Sequence, residues 1–213
     1  MPSFDITTNA VKHLQERDWR LGKLIDKIGE LPPHIPRTGF ENLAHSIIEQ
    51  MLSTKVAAVM EERLFDACGG SITPECVSAL SVEGIKGIDI SRKKAESLHH
   101  LATSVEEKDL AGLAEMHDDE IEVWLTSLPG IGPWTTHMFM LFHLERPDIL
   151  PVDDLTFRKA FEWLYGAPVT NPSVREVVCS LWKPYSSYAA RYLYRALDTG
   201  LMDLGTASEV LGV

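Results

Sequence analysis

The chain predicts an all-α fold, and three observations carry that prediction. Apolar residues recur at three- and four-residue intervals along almost its whole length of 213 residues. No stretch alternates apolar and polar residues as a half-buried strand would. Glycine and proline punctuate the helical runs at short intervals, as in a domain of many connected helices. An apolar content of 45% is enough to bury a core as one domain or two small lobes.

Taken in order, Ala10, Val11 and Leu14, then Leu21, Leu24, Ile25 and Ile28, mark a first helix or a broken pair. The segment 31–40, LPPHIPRTGF, is a proline-rich connector. Helices are expected over 40–51 and 54–68, with Ser53 capping the second and Gly69-Gly70 ending it. Short helices follow at 74–80 and 82–85, and further ones at 91–105, 110–116, 118–128, 134–144, 155–165, 173–181 and 187–199. Trp19, Trp124, Trp163 and Trp182 are expected in the core, and no internal repeat or low-complexity tract stands out.

Several function classes drop out early. Nothing in the sequence has the length and apolarity of a membrane span, and MPSFDITTNAVKHL lacks the basic start and apolar centre of an export signal. Cys68, Cys76 and Cys179 are too scattered for a disulfide framework or a zinc site, so they read as buried small hydrophobes of a reducing compartment. His99, His100 and His137 have no cysteine or carboxylate at ligand spacing, and no metal site is expected.

The net charge of −11 argues against a broad phosphate-binding surface. That charge is segregated, however. Between 106 and 122, eight acids stand against Lys108 alone, whereas between 151 and 195 six basic residues outnumber four acidic ones. A protein of this kind would bind a polyanion weakly and salt-sensitively, using backbone amides more than cationic side chains.

The richest segment is 128–161, LPGIGPWTTHMFMLFHLERPDILPVDDLTFRKAF. Pro129 and Gly130 end one helical run and a second starts near Trp134, with Gly130-Ile131-Gly132 between them. The glycines supply unusual backbone angles, Ile131 fills the space between the helices, and the amides through Thr135 point outward. Such unpaired N–H groups at a helix start form an anion site suited to a phosphodiester. On its own the GxG could also be a tight helix–helix turn.

LPGIGPWT followed by DILPVDDLTFRK resembles the helix-hairpin-helix DNA glycosylases, in particular the alkylpurine branch typified by 3-methyladenine DNA glycosylase II. HSIIEQMLSTKVAA at 45–58, ISRKKAESLHHLA at 90–102 and LWKPYSSYAARYLY at 181–194 resemble further family segments, so the likeness spans roughly 40–200. It implies two helical lobes with a DNA-binding cleft within one compact unit 1–213. Residues 36–144, with the hairpin at 118–144, would form the central lobe, and 1–35 with 145–213 the second.

The resemblance also implies an activity and its residues. Asp154 falls on the catalytic position, where its carboxylate would meet the positive charge that develops on deoxyribose as the N-glycosidic bond breaks. Asp153 beside it is expected to cap or orient the helix, and Pro151 to fix the turn. A base must leave the duplex to reach Asp154, so Met51 aligns with the wedge that fills the gap, with Gln50 as a polar probe of neighbouring bases. Leu52 is the alternative wedge. Trp134 and Tyr185 would line the base pocket and attract cationic alkylpurines, while Met138 and Leu155 stand where the best-known relatives carry aromatic rings.

Relatives that also cut the strand place a lysine where Trp134 stands, so hydrolysis by water alone is expected. No cofactor is required, although a structural monovalent cation on the hairpin carbonyls fits the family. The expected substrate is double-stranded DNA bearing alkylated bases such as 3-methyladenine or 7-methylguanine, acted on by a monomer that uses no membrane. Oxidised or mismatched bases, or DNA binding without catalysis, are the competing readings. The compartment would be the nucleoid in a prokaryote and the nucleus in a eukaryote.

Overall fold

The computed structural model describes residues 8–33 and 36–213. Among them there are helices and no strands, which bears out the all-α prediction. The chain divides into two compact units, 1–34 with 145–213, and 35–144. The N-terminal stretch on which the export argument rests lies partly outside the described residues, as do two positions of the proline-rich connector. Among the described residues, no helix is long and apolar enough to cross a membrane.

The first unit opens with a broken pair, α1 (Thr8–Arg17) and α2 (Trp19–Ile28). It continues with α11 (Leu155–Tyr165), α12 (Pro172–Trp182), α13 (Ser186–Asp198), a 3₁₀ turn Leu201–Leu204 and α14 (Ala207–Leu211). The last two elements fall outside the helices that periodicity predicts. Trp182 is fully buried among Phe157, Phe161 and Tyr165, with ring centroids 5.8–6.4 Å away. Burial of a ring that size contributes about 5 kcal/mol.

Asp18 is the polar centre of this unit. Its Oδ1 accepts from the amides of Arg20 and Leu21, capping α2, while Oδ2 accepts from Trp182 Nε1 at 2.9 Å and Tyr165 Oη at 2.6 Å. One buried carboxylate thereby ties α2 to α11 and α12, satisfying groups that would otherwise be costly to bury. Burial, then the Asp18 charge, pushes the Tyr165 phenol well above its ordinary pKa. Trp19, by contrast, is 59% exposed, with the Arg20 guanidinium 5.2 Å from its ring. The expectation that it is core is wrong because Leu21, Leu24 and Ile25 define the buried face and Trp19 sits roughly 180° from it around the helix.

The second unit contains α3 (Gly39–Glu49), α4 (Thr54–Ala67), α5 (Pro74–Ala79), α6 (Val82–Lys86), α7 (Arg92–Ser104), α8 (Glu107–Gly112), a 3₁₀ turn Leu113–Glu115, α9 (Asp118–Thr126) and α10 (Pro133–Phe142). The helix expected over 110–116 thus starts three residues earlier and tightens at its end. α3 is central, packing on α4, α7, α8 and α10. Its start is held twice: Thr38 and Glu41 form a reciprocal capping box, and Glu107 accepts from the amides of Gly39 and Phe40 at 2.7 and 3.1 Å. A carboxylate there meets the positive end of the helix dipole. Cys179 is buried as expected, whereas Cys68 and Cys76 are half-buried, so the expectation of three buried thiols fails for two. Trp124 and Trp163 are likewise only half-buried, the latter donating to the Gly205 carbonyl.

Candidate nucleic-acid interface and active site

In the second unit α9 ends at Thr126, and α10 begins at Pro133 with Gly132 as its N-cap and no side-chain cap. Gly130 has φ +85°, and a Cβ there would stand 2.1 Å from Ser97 Oγ, so both backbone angle and space demand glycine. Ile131 is buried between the helices. Among the described residues, the amides of Gly130, Gly132 and Thr135 donate to no protein acceptor. That leaves N–H groups clustered at the start of α10, in line with the expected phosphate grip. Thr135 as a whole is only 1% exposed, and its hydroxyl accepts from Gln50 Nε2 at 3.0 Å, so it anchors the hairpin from within the fold.

The turn between α3 and α4 presents Met51 at φ +60° and 94% exposed, while Leu52 is 36% exposed. Of the two candidates for a wedge, Met51 is therefore the freely projecting one. Gln50, expected as a polar probe of neighbouring bases, is engaged with the protein itself. Its amide Nε2 donates to the Gly130 carbonyl at 2.9 Å and to Thr135 Oγ1 at 3.0 Å, binding the turn to the hairpin. Lys94 was not singled out by sequence at all, yet its Nζ donates to the carbonyls of Ile48 and Gln50 at 2.7 and 2.6 Å.

Beside this turn lies a charged cluster that sequence reasoning missed. His45 on α3 contacts Glu61 Oε2 at 2.8 Å and Glu49 Oε2 at 3.5 Å, and Arg37 pairs with Glu61 at 3.0 Å. Burial pulls the His45 pKa down, but hydrogen bonds to Glu49 and Glu61 outweigh it and hold the imidazolium to about 9. An open depression of about 380 Å³ lined by Arg37, Glu41, Glu61, Glu62 and Phe65 adjoins it and includes none of the predicted site residues. His137 approaches Glu122 at 3.5 Å, and among the described residues no group of side chains has the make-up of a metal site.

In the first unit Asp154 is 8% exposed and is itself the N-cap of α11, its Oδ1 accepting from the Phe157 amide at 2.6 Å. The division of roles expected from sequence is thereby corrected: Asp153 does not cap. It is exposed and pairs with Arg158 at 3.6 Å, because the chain turns at Pro151 and brings only the second aspartate over the helix start. Residues 44–186 match the family described as HhH-GPD superfamily base excision DNA repair protein. The chain belongs to that superfamily.

Relatives agree with the assignment. The chain is 28% identical to the alkylbase DNA glycosidase-like protein mag2 of Schizosaccharomyces pombe, covering 87% of this chain and 92% of that protein. The crystal structure of a DNA-3-methyladenine glycosidase from Bacillus halodurans superposes over both entire chains with a TM-score of 0.81 at 30% identity. A 3-methyladenine DNA glycosylase of S. pombe, Mag1, solved with abasic DNA, gives a TM-score of 0.78 at 25% identity, covering 90% of this chain and 97% of that one.

Within this HhH-GPD fold the loop that leads to Asp154 is stapled onto α13. Asp148 Oδ1 accepts from the amide and hydroxyl of Ser186; Ser187 donates its hydroxyl to the Arg146 carbonyl and accepts from the Ile149 amide at 2.9 Å. Both serines are almost fully buried. Asp148 and both serines lie in segments that resemble the family, but nothing local in the sequence showed that they bond to one another. Of the pocket candidates, Tyr185 lies in the first unit, half-buried and edge-on to His13 and Tyr188 at 5.2 and 5.9 Å, while Leu155 is 60% exposed. Trp134 and Met138 lie one turn apart on α10 in the second unit, half-buried and buried respectively.

Proposed function

We propose that this protein is a DNA glycosylase that hydrolyses the N-glycosidic bond of alkylated purines in double-stranded DNA, leaving an abasic site. Asp154 carries the reading: a nearly buried carboxylate, fixed at a helix start by a backbone N–H, in a chain of a base-excision superfamily. The bond from C1′ to the base breaks, the base leaves with the electron pair, and the deoxyribose becomes cationic. Asp154 stabilises that charge and orients a water, whose oxygen bonds to C1′ as its proton is lost. Because Phe157 N–H holds Oδ1, the plane of the carboxylate is set before substrate arrives.

The remaining parts follow the chemistry. The hairpin amides hold a phosphate beside the lesion, and Met51 enters the base step vacated by the flipped nucleotide. Trp134 and Tyr185, the residues that the family resemblance assigns to base recognition, each offer an aromatic face, which suits a base made cationic by N-alkylation, a charge that also weakens the glycosidic bond. Met138 and Leu155 stand where the best-known relatives carry further rings, so these two positions offer less stacking surface to a base. Trp134 offers no amine, so no covalent enzyme–sugar bond forms. A monovalent cation on carbonyls of the hairpin turn would be structural, adding positive charge near the phosphate. The protein acts as a monomer.

Single-turnover base release from an alkylated duplex tests this. Asp154→Asn should lose on the order of 10²–10³ in rate, the scale of one electrostatic contact to a developing charge, with Asp153→Asn near wild type. A reversed order would move the chemistry to Asp153. Release of oxidised or mismatched bases in place of alkylpurines, or binding with no release, would overturn the proposed substrate or the activity itself.

A further inference from the structure

We propose that Lys94 is a positioning residue that, with Gln50, locks the Met51 wedge at a fixed offset from the phosphate-gripping hairpin before DNA binds. This deepens the function proposed above and rests on it. The starting point is a local conflict. Helix α3 ends at Glu49, leaving carbonyls that have no further turn to bond to. The Leu52 amide, which a continuing helix would offer to Ile48, goes instead to the Glu49 carbonyl at 2.8 Å. Met51 sits in the left-handed region, where a residue with a Cβ is strained. Almost wholly exposed, its side chain has little packing to compensate.

Something else must therefore hold the turn. The Lys94 ammonium reaches over from α7 and donates to both Ile48 O and Gln50 O, one on each side of the helix end, where the dipole is negative. On the other flank, Gln50 Nε2 bridges Gly130 O and Thr135 Oγ1. Gly130 in turn lies against Ser97, one turn along α7 from Lys94, with no room even for a methyl group. The wedge turn, α7 and the hairpin thus form a closed ring of contacts within one compact unit. The positive charge of Lys94 is turned inward onto carbonyls, and burial lowers its pKa. A lysine that served only to attract phosphate would not be placed so.

A preset wedge avoids the ordering entropy that a loose turn would lose on each insertion. Releasing one residue from a strained well makes its re-fixing cost about one decade of binding constant. The effect should appear only where a wedge is used, that is, on a paired lesion in a duplex. The experiment compares Lys94→Met, Lys94→Arg and Gln50→Ala with wild type in two assays. One is affinity for an abasic-analogue duplex against an undamaged duplex at fixed salt. The other is single-turnover release of the same alkylated base from a paired site against an unpaired, bulged site.

Lys94→Met should lose about tenfold in abasic-duplex affinity and paired-site rate. For Lys94→Met, undamaged-duplex affinity and bulged-site rate should hold within twofold; Gln50→Ala should also lose abasic-duplex affinity, and Lys94→Arg, which still offers two donors, should recover most of the loss. Equal losses on paired and bulged sites, or on damaged and undamaged duplex, would reduce Lys94 to a general stabiliser and overturn the proposal. So would unchanged behaviour of Lys94→Met. If wild type releases no alkylated base, the proposed function fails instead, and the abasic-duplex affinities still decide the role of Lys94.

Discussion

Replacing Gly130 by alanine should couple stability to the phosphate grip, and the size of the effect can be worked from two features of the position. With φ at +85°, any L-residue pays about 1–2 kcal/mol for the left-handed conformation. The added methyl would also sit 2.1 Å from Ser97 Oγ and 2.5 Å from Ser97 Cβ, so α7 and the hairpin must move apart, at about 1–3 kcal/mol. The stiffer unfolded chain returns about 0.4–1 kcal/mol. A net loss of about 1–4.6 kcal/mol follows, which for a chain of this size lowers Tm by on the order of 10 °C. Thermal and urea denaturation of Gly130→Ala, Ser97→Gly and the double variant separate the two terms. Ser97→Gly costs about 1 kcal/mol alone as a mid-helix glycine. In the double variant the steric part of the Gly130→Ala cost should vanish while the backbone part stays, a coupling of about 1–3 kcal/mol. A coupling below about 0.5 kcal/mol, or an unchanged Tm in Gly130→Ala, would refute the close approach as the reason for glycine here.

Two further outcomes are expected. His45 is held to about 9, above its unfolded 6.5, so its contribution is complete below pH 6.5 and disappears as pH rises through 9. The loss should be about 3 kcal/mol between those limits. Urea melts across that range, with His45→Gln flattening the slope, check it; Glu49 and Glu61, whose pKa values are lowered, instead lose their contribution as pH falls below 4.5. Borohydride added during reaction with alkylated DNA should trap no protein–DNA adduct, and strand breaks should need alkali, because Trp134 carries no amine. Efficient trapping that disappears on changing Lys183, the nearest basic candidate by motif, would disprove the water-only mechanism.

Much of the secondary structure was legible because its signals are local. A 3.6-residue apolar period, Ser53 before a helix and the glycine-bearing turn ahead of a helix near Trp134 each act within a few residues, and the structure has a helix start at or within one residue of the places the last two mark. The errors came where identity stood in for geometry. Trp19 was assigned to the core as a tryptophan, although its helical phase turns it outward. Asp153 was assigned the cap beside Asp154, although one residue of rotation after Pro151 decides which carboxylate reaches Phe157 N–H.

By itself, then, the amino-acid sequence determined the helical class, the glycine-bearing hairpin and the aspartate pair, since each is set by neighbouring residues along the chain. The tertiary structure alone decided what holds them. Lys94 meets Gln50 O across 44 residues, Gln50 meets Gly130 across 80, Glu107 caps α3 across 68, and Asp18 meets Trp182 across 164. A hydrogen bond between such residues depends on how whole helices pack. Local periodicity carries no record of it, because any lysine or glutamine on a helix surface looks alike until the opposing surface is in place.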